Sequence, residues 1–338
     1  MNRRLKQLRL MAIVTVAAVL FLIWVGSTVR ATGAGMGCPD WPTCFGQLVP
    51  PMSEADLPAD YREQYARYGY DEMRFDPVRT WTEFLNRLTG TLIGFLSLMT
   101  LVLAVMARRI DRWLPAFAGG AFVLVGFNGW LGAVVVETNL HGAVVTTHMM
   151  LSFGVILLLL GVVIRTLPSS WRIEPGERRG WFPLLPIALL LTLIQTGLGA
   201  QVREQVDQVA ATAADFHDRT GWIEQLGAIL NVHMLVAALV VVVNLWLARR
   251  LLRGGRLERR AGTALVGLLV VQVALGGALV VFDLPIALQP LHLLGAASLF
   301  ALQAFLLMTR PAPSAASPRP REAGPRQGAM TDGSTSPP

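Results

Sequence analysis

The chain has 338 residues, of which 53% are hydrophobic and only 15% charged, with a formal net charge of +7. Eight uncharged runs of about 20 residues, the length that crosses roughly 30 Å of hydrocarbon, rule against a water-soluble fold. A pI near 10.4 suggests nucleic-acid binding, but the basic residues form short clusters beside the runs, such as Arg249-Arg250 and Arg259-Arg260, as membrane orientation requires.

In chain order the runs are Leu10–Val29, Leu88–Ala107, Trp113–Val136, Thr138–Ile164, Trp181–Val202, Gln225–Ala248, Ala261–Phe282 and Leu284–Arg310. If alternate connections are assigned to opposite sides with the N-terminus inside, the inner set holds 21 Lys or Arg against 6 acids. The outer set holds 8 against 16, so inside is +15 and outside −8, which sum to +7. This asymmetry predicts an all-α integral membrane protein with eight transmembrane helices and both termini cytoplasmic.

Arg3, Arg4, Lys6 and Arg9 precede the first run, as in a signal peptide, but the run is longer than a usual signal core and reads as a retained helix. Residues 1–9 are then a cytoplasmic N-terminus. The longest loop, 31–81, falls outside and carries the only cysteines, Cys38 and Cys44. In an oxidising compartment they make one disulfide, either a loop staple or a redox pair. The second helix opens with Trp81-Thr82-Glu83-Phe84-Leu85-Asn86-Arg87-Leu88, where Glu83 and Arg87 have the spacing of an i,i+4 ion pair.

An internal repeat runs through the chain. Leu131-Gly132-Ala133-Val134 returns as Leu275-Gly276-Gly277-Ala278, His148 as His292 and Asn139-Leu140 as Asp283-Leu284, all offset by 144 residues. The Gly-x-x-Val-Arg that ends the first run at Arg30 also ends the fifth at Arg203. The expected organisation is two duplicated four-helix bundles, 10–164 and 165–310, with a disordered cytoplasmic tail over 311–338.

Five histidines carry the chemistry. His233 and His292 lie in apolar runs at comparable depth, and two helices presenting imidazoles to each other commonly supply the axial ligands of a haem iron. His148 occupies the place of His292 in the first unit, while the place of His233 is taken by Asn86, a poor iron ligand. One iron there would be held by His148 alone, with its other face open. His141, about 10 Å from His148 along an ideal helix, is expected at the outer rim, meeting a haem propionate or solvent. His217 is expected in a solvated loop. Arg30, Arg87 and Arg203 lie at outer helix ends, where guanidiniums pair with carboxylates such as haem propionates.

The ordered set Gly37-Cys38-Pro39-Asp40-Trp41-Pro42 with Cys44, Glu83-Phe84-Leu85-Asn86-Arg87, Trp130-Leu131-Gly132-Ala133, Thr147-His148-Met149, Asn231-Val232-His233 and Pro290-Leu291-His292 resembles the haem A synthase family. The resemblance covers about residues 10–310. It implies a multi-pass protein of the bacterial plasma membrane that oxidises a methyl group of haem O to a formyl group by successive hydroxylations, for a terminal oxidase that contains haem A. It implies a resident haem b between His233 and His292 in the C-terminal unit. Substrate haem O would sit in the N-terminal unit with His148 on its iron, Asn86 and Arg87 beside it, and Glu83 next to the reacting methyl. The family usually reads Glu-x-x-His-Arg here, so Asn86 departs from its pattern. Haem O synthase, an electron acceptor such as a quinone, and a second copy of the chain are the partners it suggests.

Two readings from other classes fit parts of the same pattern: a dihaem electron-transfer cytochrome linked to quinone, and a haem-free transporter with duplicated halves. A disulfide-exchange protein built on Cys38 and Cys44 leaves the histidines without employment.

Overall fold

The computed structural model describes residues 3–168, 171 and 180–309, and each of the eight runs forms a helix. These are α1 (Arg3–Ala31), α2 (Pro77–Met106), α3 (Leu114–Glu137), α4 (Gly142–Thr166), α5 (Leu184–Thr212), α6 (Ala228–Leu251), α7 (Arg256–Val281) and α8 (Leu288–Met308). All are long and apolar enough to cross a membrane. Large apolar side chains such as Leu92, Phe95, Val242 and Val270 stand exposed along them, which suits lipid rather than water.

Several helix ends lie beyond the uncharged runs, each for a local reason. Asp76 caps α2 by accepting from the N–H groups of Val78 (2.8 Å) and Arg79 (3.3 Å), and Pro77 takes the first helical position. Glu83, Asn86 and Arg87 therefore sit on a regular helix. α1 begins at Arg3 rather than Leu10, and Arg9 donates from Nη1 to the Thr166 carbonyl at 3.2 Å. α5 continues through Arg203, Glu204 and Asp207 to Thr212, so the first part of what reads as a polar loop is helical. The expected tail over 311–338 lies outside the described residues.

α1 and α3 each pack against both α2 and α4, and α5 and α7 each pack against both α6 and α8. The two rings of four meet where α1 and α4 face α5 and α8, and there Phe153 and Phe300 lie with ring centroids 4.9 Å apart. The ends of α3 and α7 share one conformation. Asn139 and Leu140 have φ of 52° and 58°, Asp283 and Leu284 51° and 59°. The Leu140 and Leu284 amides each reach back 2.8 Å to the carbonyls of Val135 and Leu279.

The segment joining α1 to α2 marks the loop-side end of the molecule and has its own small core. Phe45 is fully buried at its centre, met edge-on by Tyr61, Tyr65, Tyr70 and Phe75 at 5.1–6.3 Å. Cys38 and Cys44 form a disulfide with their Cα atoms 4.8 Å apart. Gly37 lies so close to α2 that a Cβ there would stand 2.4 Å from the Arg79 carbonyl oxygen, so the loop rests directly on the helix main chain.

Candidate functional site

Glu83 is the seventh residue of α2, His148 the seventh of α4, His233 the sixth of α6 and His292 the fifth of α8. All four helices start at the loop-side end, so the four side chains share one level of the molecule. Each imidazole faces a glycine on the neighbouring helix. A Cβ at Gly132 would stand 3.5 Å from His148 Cε1, one at Gly199 3.2 Å from His233 Cε1, and one at Gly276 3.2 Å from His292 Cε1. The fourth position follows suit, since a Cβ at Gly26 would be 3.5 Å from Asn86 Oδ1. Missing side chains thus keep a slot beside every imidazole and beside the asparagine.

These residues fit an iron porphyrin. His233 and His292 stand on α6 and α8, which both pack against α5 and α7. The Nδ1 atoms of His148 and His292 and Oδ1 of Asn86 are buried without hydrogen-bond partners, a costly arrangement that a bound group would relieve. Among the described residues no three or more His, Cys, Asp or Glu gather into a metal site. A haem iron asks the protein for only one or two axial ligands, which is what each ring offers.

Glu83 is almost completely buried, at 4% exposure, yet it is held on both sides. The Cys38 amide donates to Oε2 at 2.8 Å, and Arg87 donates to Oε1. Arg87 also binds the carbonyls of Cys38 (2.6 Å), Thr43 (3.1 Å) and Asp40. The i,i+4 ion pair expected from spacing is present, and it additionally clamps the disulfide loop onto α2. Asp40 tightens that loop by accepting from the amides of Phe45 (2.6 Å) and Gly46 (2.8 Å) and from the Thr43 hydroxyl.

Arg30 and Arg203 are both engaged with protein carboxylates. Arg30 donates from Nε to Asp207 at 2.8 Å and from Nη2 to Glu204 at 3.1 Å. Arg203 pairs with Asp207 and donates to the Arg30 carbonyl at 2.9 Å and to Gln289 at 3.2 Å. Arg219 adds bonds to the carbonyls of Leu284 and Ala31. This network joins α1, α5 and α8 at the loop-side end and therefore ties the two rings together. His141, just ahead of α4, is exposed, as is His217 in the segment between α5 and α6.

Sequence reasoning singled out the imidazoles and Glu83 but missed what faces them. The Cys38 amide lies 45 positions from Glu83, and no local pattern announces that bond. The facing glycines were readable as a repeated polar-x-x-x-Gly spacing: Asn128 before Gly132, Gln195 before Gly199 and Gln272 before Gly276.

The family model COX15-CtaA, described as cytochrome oxidase assembly protein, matches residues 9–304. A protein of Shewanella oneidensis named "Heme A synthase" is 27% identical over 312 residues, covering 85% of this chain and 91% of that protein. Proteins of the same name from Paracoccus denitrificans and Nitrosospira multiformis are 28% and 24% identical. The alignments cover 87% of this chain in both cases, and 85% and 91% of the relatives. With most of its length aligned in this way, the chain belongs to the COX15-CtaA family of cytochrome oxidase assembly proteins.

Proposed function

We propose that this chain is a haem A synthase, an oxidoreductase that converts a methyl group of haem O to a formyl group by successive hydroxylations. The observation that carries the reading is a buried carboxylate, Glu83, held by Cys38 and Arg87 at the same level as three glycine-faced imidazoles. Electron transfer alone asks for no proton acceptor at this level, while oxidation of a methyl group releases protons that a carboxylate beside it can take.

The site residues divide by ring. His148 would hold the iron of haem O, and Asn86, too weak a donor to close the opposite face, would leave the substrate free to depart. Glu83 takes a proton from the reacting carbon or steadies positive charge developing there, and its two hydrogen bonds fix the carboxylate so that it need not reorganise. In the second ring His233 and His292 would hold a haem b, which when bound supplies a one-electron relay. Arg87, Arg30 and Arg203 stand at the loop-side end, where propionates would lie, and their N–H groups are shared with Glu83, Glu204 and Asp207.

The shared ring order, the 144-residue offset and the matching ends of α3 and α7 support a duplicated four-helix unit. The charge asymmetry supports cytoplasmic termini and an extracytoplasmic cysteine loop in a bacterial plasma membrane. Haem O synthase as donor of substrate, a quinone as electron acceptor and self-association complete the proposal. The test is a haem extract from cells that make this protein together with haem O, analysed by mass spectrometry. A formyl haem that appears only with the protein supports the reading, and unchanged haem O overturns it.

A further inference from the structure

The glycines that face the imidazoles are each preceded, one turn inward on the same helix face, by an amide side chain: Asn128, Gln195 and Gln272. Polar amides inside a membrane-spanning bundle are costly and call for a reason. Their side-chain oxygens, Asn128 Oδ1, Gln195 Oε1 and Gln272 Oε1, are all buried and all without a hydrogen-bond partner. At the fourth facing pair, where Asn86 replaces an imidazole, the residue four before Gly26 is Leu22. Amide and imidazole therefore occur together three times and are absent together once.

Each amide touches the helix that carries its histidine. Gln195 Nε2 lies 3.1 Å from both ring nitrogens of His233 and 3.1 Å from its carbonyl oxygen. Asn128 Nδ2 donates to Ser152 Oγ at 3.0 Å, and that hydroxyl donates to the His148 carbonyl at 3.2 Å. Gln272 presses on Gly295, three residues after His292, where a Cβ would meet its Oε1 at 2.6 Å.

An imidazole that gives the lone pair of Nε2 to iron must carry its proton on Nδ1, and that N–H needs an acceptor that fixes the tautomer and the ring plane. The unpartnered Nδ1 atoms of His148 and His292 and the unpartnered amide oxygens are complementary. Gln195 as it stands presents its amide nitrogen to the His233 ring and carbonyl, so its oxygen reaches Nδ1 only when the side chain leaves that carbonyl. We propose that Asn128, Gln195 and Gln272 are positioning residues whose side-chain oxygens accept the Nδ1–H of His148, His233 and His292. This rests on the haem reading above.

The test uses the full-length holoprotein in detergent and reads the second-ring haem by redox titration and low-temperature electron paramagnetic resonance. Without its acceptor an imidazole is a poorer donor to oxidised iron. Gln195→Leu and Gln272→Leu should therefore raise the reduction potential, shift the g-values and weaken haem retention by about 10–100-fold. Gln272→Glu, which keeps an acceptor and makes it stronger, should move the potential the opposite way, a reversal that mere loss of packing does not produce. Asn128→Leu should leave that signal unchanged and loosen only the haem bound through His148. If a Leu variant loses its haem outright, the Glu variant decides. Unaltered potentials and g-values, or shifts of the same sign in Leu and Glu variants, overturn the inference and leave the haem reading standing. A wild-type chain without a Soret band overturns both.

Discussion

The main-chain N–H of Cys38 donates to Glu83 Oε2 at 2.8 Å, so a residue of the disulfide loop directly positions the carboxylate of a helix that begins 39 residues later. The loop does more than cover the bundle, because Arg87 holds three of its carbonyls while pairing with the same glutamate.

Opening the disulfide should therefore be felt at Glu83. Cys38→Ser with Cys44→Ser leaves the Phe45 cluster and the Arg87 and Asp40 hydrogen bonds to hold the loop, and with Glu83 as the proposed base formyl-haem output should fall by about tenfold or more, since misplacing such a group forfeits most of its effect. The second-ring haem should stay at full occupancy. Pigment analysis of the purified double variant checks both, and normal output would show that the staple is dispensable for Glu83.

Replacing the carboxylate itself is a sharper probe. Glu83→Gln keeps the size of the side chain and an acceptor for Cys38 but cannot take a proton, and it should lower the rate of formyl formation by about 10²-fold or more. Haem content should be unchanged. Turnover at the wild-type rate would remove Glu83 from the chemistry.

The glycine slots can be filled one at a time. Gly276→Val would force branched carbons into the space beside His292, where a single Cβ already stands 3.2 Å from Cε1, and should abolish the second-ring haem. Gly132→Val should do the same only to the haem carried by His148. Spectra that lose the same component in both variants would contradict two separate sites.

Asn86→His would put a strong iron ligand at the place that answers to His233 in the second ring. The substrate iron should then take two protein ligands, become low-spin and dissociate more slowly, visible in the absorption spectrum and in a washout experiment. No spectral change would mean that Asn86 does not face the iron.

Alkaline pH should loosen the cysteine loop. Burial, with help from Asp40, raises the Tyr65 phenol from 10.0 to about 12, and burial with the nearby Glu83 raises Tyr70 further. Because these folded values lie above the unfolded ones, the stability linked to them is complete below pH 10 and lost as pH climbs toward about 12. Limited proteolysis of the loop should be flat to pH 10 and then rise. A rise already at pH 8 would point to another group.

Much of the fold was legible because hydropathy marks length and lipid exposure directly. The ends were less so, since Asp76 sets the start of α2 by a cap and Asp207 extends α5 by pairing with Arg30 and Arg203. Scarcity made the imidazoles visible, as few polar side chains occupy these runs. Their surroundings stayed hidden, because the repeated polar-x-x-x-Gly spacing that includes Gly199 does not say what faces it until the opposite helix is known to place His233 there. Arg30 and Arg203 read in the sequence as candidates to pair with haem propionates, but Glu204 and Asp207 become their partners only once the polar segment is seen to be helix.

Each set of four helices closes on itself, and the two touch through α1 and α4 on one side and α5 and α8 on the other. The seam between the rings is therefore made by α1, α4, α5 and α8, while α2, α3, α6 and α7 belong to one ring each. Mutational drift on those four helices can reshape one ring without disturbing the other, a modularity that lets two rings of one polypeptide take different tasks.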